Sequence, residues 1–204
     1  FHHSKVLTSG EGGIVTTSSD DLAERIKRIR AIGLDRSINN WESFEIGSNA
    51  KMSEMTAILG ILHVKNADKI IDERRKIANQ YDKMINFQRG VQRFVVPENT
   101  KSGYYKYFLR TEPGIGKKLS DYLLSQGIEL PPQAYSYTCD QQSVSKKMGC
   151  VVSNNLENSK FMVENHICLP MYNGLLKKEI RYIIKCINKF LEELSEDSFD
   201  NKEL

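Results

Sequence analysis

Residues 53–86 carry an apolar stripe at helical spacing that predicts the longest helix of the chain. The stripe consists of residues that fall on one face of a helix: Met55, Leu59, Leu62, Ile70, Ile77, Tyr81 and Met84. A helix of this length spans about 50 Å, which is long enough to join two lobes. We therefore predict a linking helix over residues 51–86 with a separate lobe on each side.

The part after this helix has the pattern of a small mixed domain. Strands are predicted over 91–97, 104–111 and 167–170, and helices over 115–126, 158–165 and 177–194. This alternation is typical of an α/β or α+β lobe, which we place at residues 87–195. Residues 196–204 are predicted to form a polar tail.

The part before the long helix opens on a glycine cluster. The three glycines in residues 10–13 indicate a tight turn, and the β-branched run 14–17 predicts a strand. A helix capped by residue 19 or 20 is predicted next, and Gly33 is expected to end it. The long irregular segment 34–50 follows, and irregular segments of this length in compact domains are usually functional.

Composition and charge exclude several classes of protein. The chain has 29 Lys and Arg against 26 Asp and Glu, and this net charge of +3 is too small to indicate a nucleic-acid partner. No stretch approaches the roughly 18 apolar residues of a membrane span. The cysteines are widely spaced and form no CxxC pair: Cys139, Cys150, Cys168 and Cys186. This spacing favours reduced thiols and a cytoplasmic protein.

The sequence matches neither a nucleotide-binding motif nor a metal-binding motif. The glycines of residues 10–13 precede a predicted strand, whereas a dinucleotide fingerprint follows one, and residues 111–117 lack the first glycine of a phosphate loop. His2 and His3 are adjacent, so their side chains are expected to diverge, and no metal site is predicted.

Lys5 is the candidate for covalent chemistry. It lies between small and aromatic residues and a glycine turn, and a confined lysine loses its proton easily and can react with an aldehyde cofactor. A solvated surface charge is the alternative that the residues alone leave open.

Four collinear segments of this sequence resemble the DegT/StrS family of nucleotide-sugar aminotransferases. Residues 1–13 (FHHSKVLTSGEGG) are similar to the family's lysine motif, and residues 47–57 (GSNAKMSEMTA) to its Gly-Tyr-Asn-Tyr-Arg-Met-Ser-Glu stretch. Residues 72–81 resemble its Arg-Arg…Tyr segment, and residues 167–172 its Leu-Ser-Leu-Pro segment. Together the four segments cover nearly the whole chain.

The resemblance implies a pyridoxal 5′-phosphate (PLP) enzyme. Lys5 would hold PLP covalently, and Asn49 would reach the cofactor phosphate of the neighbouring subunit. The implied reaction is transamination of a nucleotide-linked keto-sugar with glutamate as donor, by a homodimer with shared active sites. The implied fold is α/β, of the PLP-dependent transferase (aspartate aminotransferase-like) type.

The sequence also departs from the family pattern. Ser48 and Ala50 replace two tyrosines, Lys51 replaces an arginine, and the usual histidine of the substrate-side loop is missing. In the family the lysine lies near the middle of a chain about twice as long. The resemblance therefore implies that residues 1–50 are the end of a large PLP-binding domain and that the chain is a C-terminal part, inactive when isolated. The alternative is a non-catalytic C-terminal remnant that acts as a dimerisation or regulatory module.

Overall fold

The computed structural model describes residues 1–200 except 36, 39, 40, 89 and 153, with only the backbone of residues 195–200. Parts of the predicted irregular segment 34–50 and of the polar tail therefore lie outside the described residues. The chain divides into two compact units: an N-terminal unit, Phe1–Asp68, and a C-terminal unit that begins at Lys69. The finer assignment to a large-domain remnant, a linker and a small domain stays a prediction.

The N-terminal unit contains two helices, α1 (Asp20–Ile29) and α2 (Glu54–Lys65). Ser19 caps α1 as predicted, because its side chain accepts a hydrogen bond from the Leu22 backbone N–H at 3.3 Å. The helix ends at Ile29, four residues before Gly33.

The strand predicted over residues 14–17 is wrong. The structure has no regular secondary structure there, and Ile14 and Val15 are 66% and 69% exposed. A strand needs a hydrogen-bonding neighbour, and no strand occurs among the described residues of this unit to provide one. β-branched residues raise strand propensity without supplying that partner.

The continuous helix predicted over 53–86 is also wrong, because the structure divides it into α2 and α3 (Ala67–Met84). Asn66 lies between them, and its side-chain Nδ2 donates to the Leu62 carbonyl at 2.8 Å. An asparagine side chain that takes a backbone carbonyl competes with the helical ladder. The break therefore has a local cause that an apolar stripe does not reveal.

The C-terminal unit is built on a three-stranded antiparallel sheet. Its strands lie in the order β1 (Val91–Arg93), β2 (Tyr107–Thr111), β3 (His166–Leu169). The helices that follow α3 are α4 (Ile115–Ser125), α5 (Ser143–Lys147), α6 (Glu157–Glu164) and α7 (Lys177–Asp200), and a 3₁₀ turn lies at Cys139–Gln141. The predicted strands and helices of this lobe are all present; β1 and β2 are shorter than predicted, and α7 is longer.

One hydrophobic core holds the C-terminal unit together. Tyr107, Leu109 and Thr111 of β2 are buried in alternation, and α4 packs against β2, β3 and α7. The α3 helix contributes the fully buried Tyr81, whose ring lies 4.9 Å from that of Tyr107. In the described part of the chain, no helix is both long and apolar enough to cross a membrane.

Candidate active site

Lys5 lies on a loop that folds back on itself. The Lys5 backbone N–H donates to the His2 carbonyl at 2.9 Å, which closes a tight turn, and His2 pairs with Gly10 in a parallel bridge. The Ser9 N–H donates to the Phe1 carbonyl at 3.0 Å. Gly10 has φ +89°, a left-handed conformation that glycine adopts without strain. The loop thus fixes the backbone of Lys5, and Lys5 is exposed to solvent.

The lysine loop is seated on α2. The Thr8 N–H donates to His63 Nδ1 at 3.4 Å, and Ser9 is buried. Gly60 is the buried residue of α2, and a Cβ at this position would lie 3.5 Å from the Ser9 Cβ. The contact of His63 with the lysine loop gives this histidine a positional role.

Asn49 lies on a segment that runs beside the end of α1. The Ser48 N–H donates to the Ile29 carbonyl at 2.9 Å, and the Ala50 N–H donates to the Arg30 carbonyl at 3.0 Å. Asn49 itself pairs with the buried Ala31 in an antiparallel bridge. Its side-chain amide is exposed and has no hydrogen-bond partner among the described residues, so it is available to a ligand.

A close backbone contact holds the Asn49 segment against the turn after α1. Gly33 has φ +81°, and a Cβ there would lie 1.8 Å from the Glu45 carbonyl oxygen. A Cβ at Gly47 would lie 2.4 Å from the Ile29 carbonyl oxygen. Both positions therefore require glycine, since any larger side chain would push the two segments apart. The sequence predicted only that Gly33 ends α1 and did not indicate this close contact with Glu45.

Ion pairs reinforce the same turn. Arg28 contacts Glu45 at 3.2 Å and Asp35 at 3.5 Å, and Arg25 contacts Glu45 at 2.8 Å. The hydrogen bond from Arg25 lowers the pKa of Glu45, and hydrogen bonds from Ser37 lower the pKa of Asp35. Both carboxylates therefore stay ionised at neutral pH and keep their arginine partners.

A cavity of about 350 Å³ opens beside this turn within the N-terminal unit. Four basic side chains and two carboxylates are among its lining residues: Lys27, Arg28, Arg30, Lys51, Glu24 and Asp35. The excess of positive charge suits an anion. Lys51, which replaces an arginine of the resembled motif, is thus part of a basic cavity.

The sequence did not predict the arrangement of the first two histidines. The imidazole rings of His2 and His3 lie 3.8 Å apart, and both rings lie near the Glu11 carboxylate, so the expected divergence is wrong. The pairing of His2 with Gly10 brings Glu11 to the two rings. No signal in the sequence indicates this parallel pairing.

The other two resembled segments meet in the C-terminal unit. Arg74 on α3 donates to the Met171 carbonyl and to Asn173 Oδ1, both at 3.0 Å, and Tyr81 donates to the Pro170 carbonyl at 2.9 Å. Burial lowers the pKa of Arg74 and raises that of Tyr81. Arg74 nevertheless stays charged at neutral pH, because the guanidinium group is too basic to lose its proton in a protein. The two segments form one hydrogen-bonded junction.

The chemistry of Lys5 and Asn49 fits the two ends of PLP. An exposed primary amine suits the aldehyde, and an exposed amide without a partner in the described part of the chain suits the phosphate. The two residues are held by different elements, Lys5 by the loop on α2 and Asn49 by the end of α1. Their assignment to the cofactor stays a prediction.

A model of the DegT/DnrJ/EryC1/StrS aminotransferase family matches residues 1–188. Among similar curated proteins, a dTDP-4-dehydro-2,3,6-trideoxy-D-glucose 4-aminotransferase of Saccharopolyspora spinosa is 26% identical over 94% of this chain and 51% of its own length. A dTDP-4-amino-4,6-dideoxy-D-glucose transaminase of Shigella dysenteriae is 28% identical over 93% of this chain and 51% of its own. The chain thus spans about half the length of the curated relatives it matches.

Solved structures share the fold. A DegT/DnrJ/EryC1/StrS aminotransferase from Brucella abortus superposes with a TM-score of 0.83 at 21% identity, over 93% of this chain and 49% of that structure. The aminotransferase TlmJ from Streptoalloteichus hindustanus gives 0.79 at 21% identity, over 93% and 50%. These structures confirm the predicted α/β aminotransferase fold, of which this chain contains about half.

Proposed function

The chain belongs to the DegT/DnrJ/EryC1/StrS aminotransferase family, and on this premise we propose that it supplies the lysine-bearing half of a PLP-dependent sugar aminotransferase. The observation that carries the proposal is the Lys5 loop: an exposed lysine on a hydrogen-bonded turn that is seated on α2. When bound, PLP supplies an electron sink for the bonds around the amino-bearing carbon. The carboxylate that this ring needs at its nitrogen is expected outside residues 1–204.

Lys5 has two tasks in this proposal. Its Nζ holds the cofactor covalently. Once the amino donor has displaced it from the cofactor, Nζ moves a proton between the substrate carbon and the cofactor carbon. Both tasks need a fixed backbone and a mobile amine. The turn from His2 to Lys5 provides the first, and the four-carbon side chain provides the second.

Asn49 donates its amide to the cofactor phosphate of a neighbouring subunit in this proposal. The backbone around Asn49 is clamped on both sides by hydrogen bonds to the end of α1, so the amide is presented at little cost in conformational entropy. Two active sites of a homodimer would then each depend on both subunits.

We propose a nucleotide-linked keto-sugar as substrate and glutamate as amino donor, in the cytoplasm. The two relatives described above support the substrate class, since both are aminotransferases of dTDP-linked sugars. The product would be an amino-sugar for polysaccharide or related biosynthesis.

The exposed apolar surface of α2 supports the proposal that the active enzyme contains more polypeptide than this chain. The large apolar residues of this helix are each half or more exposed: Met55, Ile58, Leu59, Ile61, Leu62 and Val64. A helix that is apolar on all sides is normally buried. We infer that further polypeptide, the complementary half or a second subunit, covers α2 in the active enzyme.

Mixed dimers test the proposal in the complete enzyme. Asn49→Ala should weaken PLP binding by about 1.5–3 kcal/mol, the value of a hydrogen bond to a charged group. A dimer of one Lys5→Ala subunit and one Asn49→Ala subunit should keep one PLP site of wild-type affinity, because the intact Lys5 and the intact Asn49 meet at the same site. Spectroscopic PLP titration measures this.

The control is Asn155→Ala, which removes an exposed amide of the C-terminal unit and should leave PLP affinity unchanged. If the mixed dimer binds PLP as weakly as the Asn49→Ala homodimer, Asn49 does not act across the subunit boundary.

A non-catalytic dimerisation or regulatory module is the second candidate. It is favoured by the C-terminal unit, which has a buried core of its own. We propose that the 204-residue chain alone neither retains PLP nor transaminates. An activity assay on the complete enzyme separates the two candidates. Only the first candidate predicts that this enzyme converts L-glutamate to 2-oxoglutarate.

A further inference from the structure

The lysine loop brings three metal-ligating side chains together. His2 pairs with Gly10 in a parallel bridge, which sets the next residues of the two segments, His3 and Glu11, side by side. His2 Nε2 lies 3.5 Å and His3 Nδ1 lies 3.7 Å from the same Glu11 oxygen, Oε1. All three ligand atoms lie within 4.8 Å of one another.

These separations are close to those of a metal site. Zn²⁺ binds nitrogen and carboxylate oxygen at about 2.0–2.2 Å in tetrahedral geometry, so two of its ligand atoms lie about 3.3–3.5 Å apart. The His2 distance to Glu11 Oε1 lies at the upper end of this range, and the His3 distance exceeds it by a few tenths of an ångström. Small side-chain rotations would therefore bring the three atoms to a common centre.

A hydrogen bond outside the cluster orients one of the rings. His2 Nδ1 lies 2.9 Å from the Ser4 hydroxyl. The Ser4 backbone N–H also donates to Nδ1 at 3.2 Å. Both contacts hold Nδ1 toward Ser4, and Nε2 is the ring nitrogen that lies 3.5 Å from Glu11 Oε1.

We propose that His2, His3 and Glu11 form a Zn²⁺ site on the lysine loop. Two imidazoles and one carboxylate match the ligands that Zn²⁺ takes with a water in the fourth position. Mg²⁺ and Ca²⁺ prefer sites made of oxygen alone and fit this set poorly. The site does not depend on the proposed transamination. It lies on the turn that carries Lys5, whose N–H donates to the His2 carbonyl, so bound metal would stiffen that turn.

Calorimetric titration with ZnCl₂ tests the proposal on the metal-free 204-residue chain, produced without a polyhistidine tag. Cys139 and Cys150 are exposed thiols that could bind Zn²⁺, so all variants carry Cys139→Ser and Cys150→Ser. We expect one Zn²⁺ per chain. His3→Ala and Glu11→Gln should each weaken binding by at least about 10-fold, because losing even an outer partner costs about 10–100-fold.

Glu98→Gln, at an exposed glutamate of the C-terminal unit, is the matched control and should bind like the parent. Circular dichroism of each metal-free variant checks that it is folded, and the visible spectrum of bound Co²⁺ reports the coordination geometry independently of affinity. Absence of Zn²⁺ binding in the parent would overturn the proposal. Equal affinity in the parent, His3→Ala and Glu11→Gln would also overturn it.

Discussion

Replacement of Lys5 by alanine is expected to lower the conversion of L-glutamate to 2-oxoglutarate by at least about 10²–10⁴-fold in the complete enzyme. Proton transfer by a positioned side chain contributes this much on its own, and the lysine also holds the cofactor. The measurement is 2-oxoglutarate formed per active site in a single turnover, which requires no knowledge of the sugar substrate.

Two further variants separate chemistry from folding. Lys5→Arg keeps the positive charge and cannot lose its proton, so it should be as inactive as Lys5→Ala. Lys101→Ala removes an exposed lysine of the C-terminal unit and should retain wild-type turnover. Activity of Lys5→Ala within 10-fold of the wild type would remove Lys5 from the mechanism.

Replacement of Arg74 by methionine is expected to destabilise the C-terminal unit by at least about 3 kcal/mol. Arg74 donates to the Tyr104 and Met171 carbonyls and to the Asn173 side chain, each at 3.0 Å. Methionine fills much of the same space and donates nothing, so it leaves one buried and two partly buried acceptors without their donor. Each acceptor left unsatisfied costs about 1–3 kcal/mol. The midpoint of urea unfolding measures the loss.

The neighbouring Arg75 provides the matched control. It donates to the Ser102 carbonyl at 3.0 Å and contacts Asp72 at 3.4 Å near the surface, where such contacts contribute about 0–1 kcal/mol. Arg75→Met should therefore shift the free energy of unfolding by no more than about 1 kcal/mol. Equal shifts for the two variants would show that the buried junction around Arg74 does not hold the unit together.

The C-terminal unit could be predicted from sequence because its signals are local. The apolar spacing of α4 and α7 indicated helices that bury one face in the core, and Leu119, Leu123, Ile187 and Leu191 are fully buried. The alternation in β2 likewise matches its buried and exposed sides. The predicted lengths of β1 and β2 were too great, because pairing partners rather than propensity determine where a strand stops.

The N-terminal unit was predicted less well because its structure depends on contacts distant in sequence. The run 14–17 has strand propensity and no partner strand among the described residues. The α2 helix is apolar on every side, so its periodicity could not show which face is covered. The Asn66 break depends on one side-chain hydrogen bond to Leu62.

The candidate site residues were identified from their resemblance to family motifs, and the structure then showed which contacts position them. The residues alone left Lys5 indistinguishable from a surface charge. The seat of its loop on His63, the glycine contact that positions Asn49 and the cluster around Glu11 all depend on contacts that the sequence did not indicate.

Reductive trapping of PLP in the complete enzyme tests the central claim most directly. Borohydride would fix the cofactor onto the lysine that holds it, and peptide mass spectrometry would locate the label. The account predicts a stoichiometric pyridoxyl group on Lys5, with none on Lys51 and none anywhere in Lys5→Ala. A label on another lysine, or an undiminished label after Lys5→Ala, would contradict it.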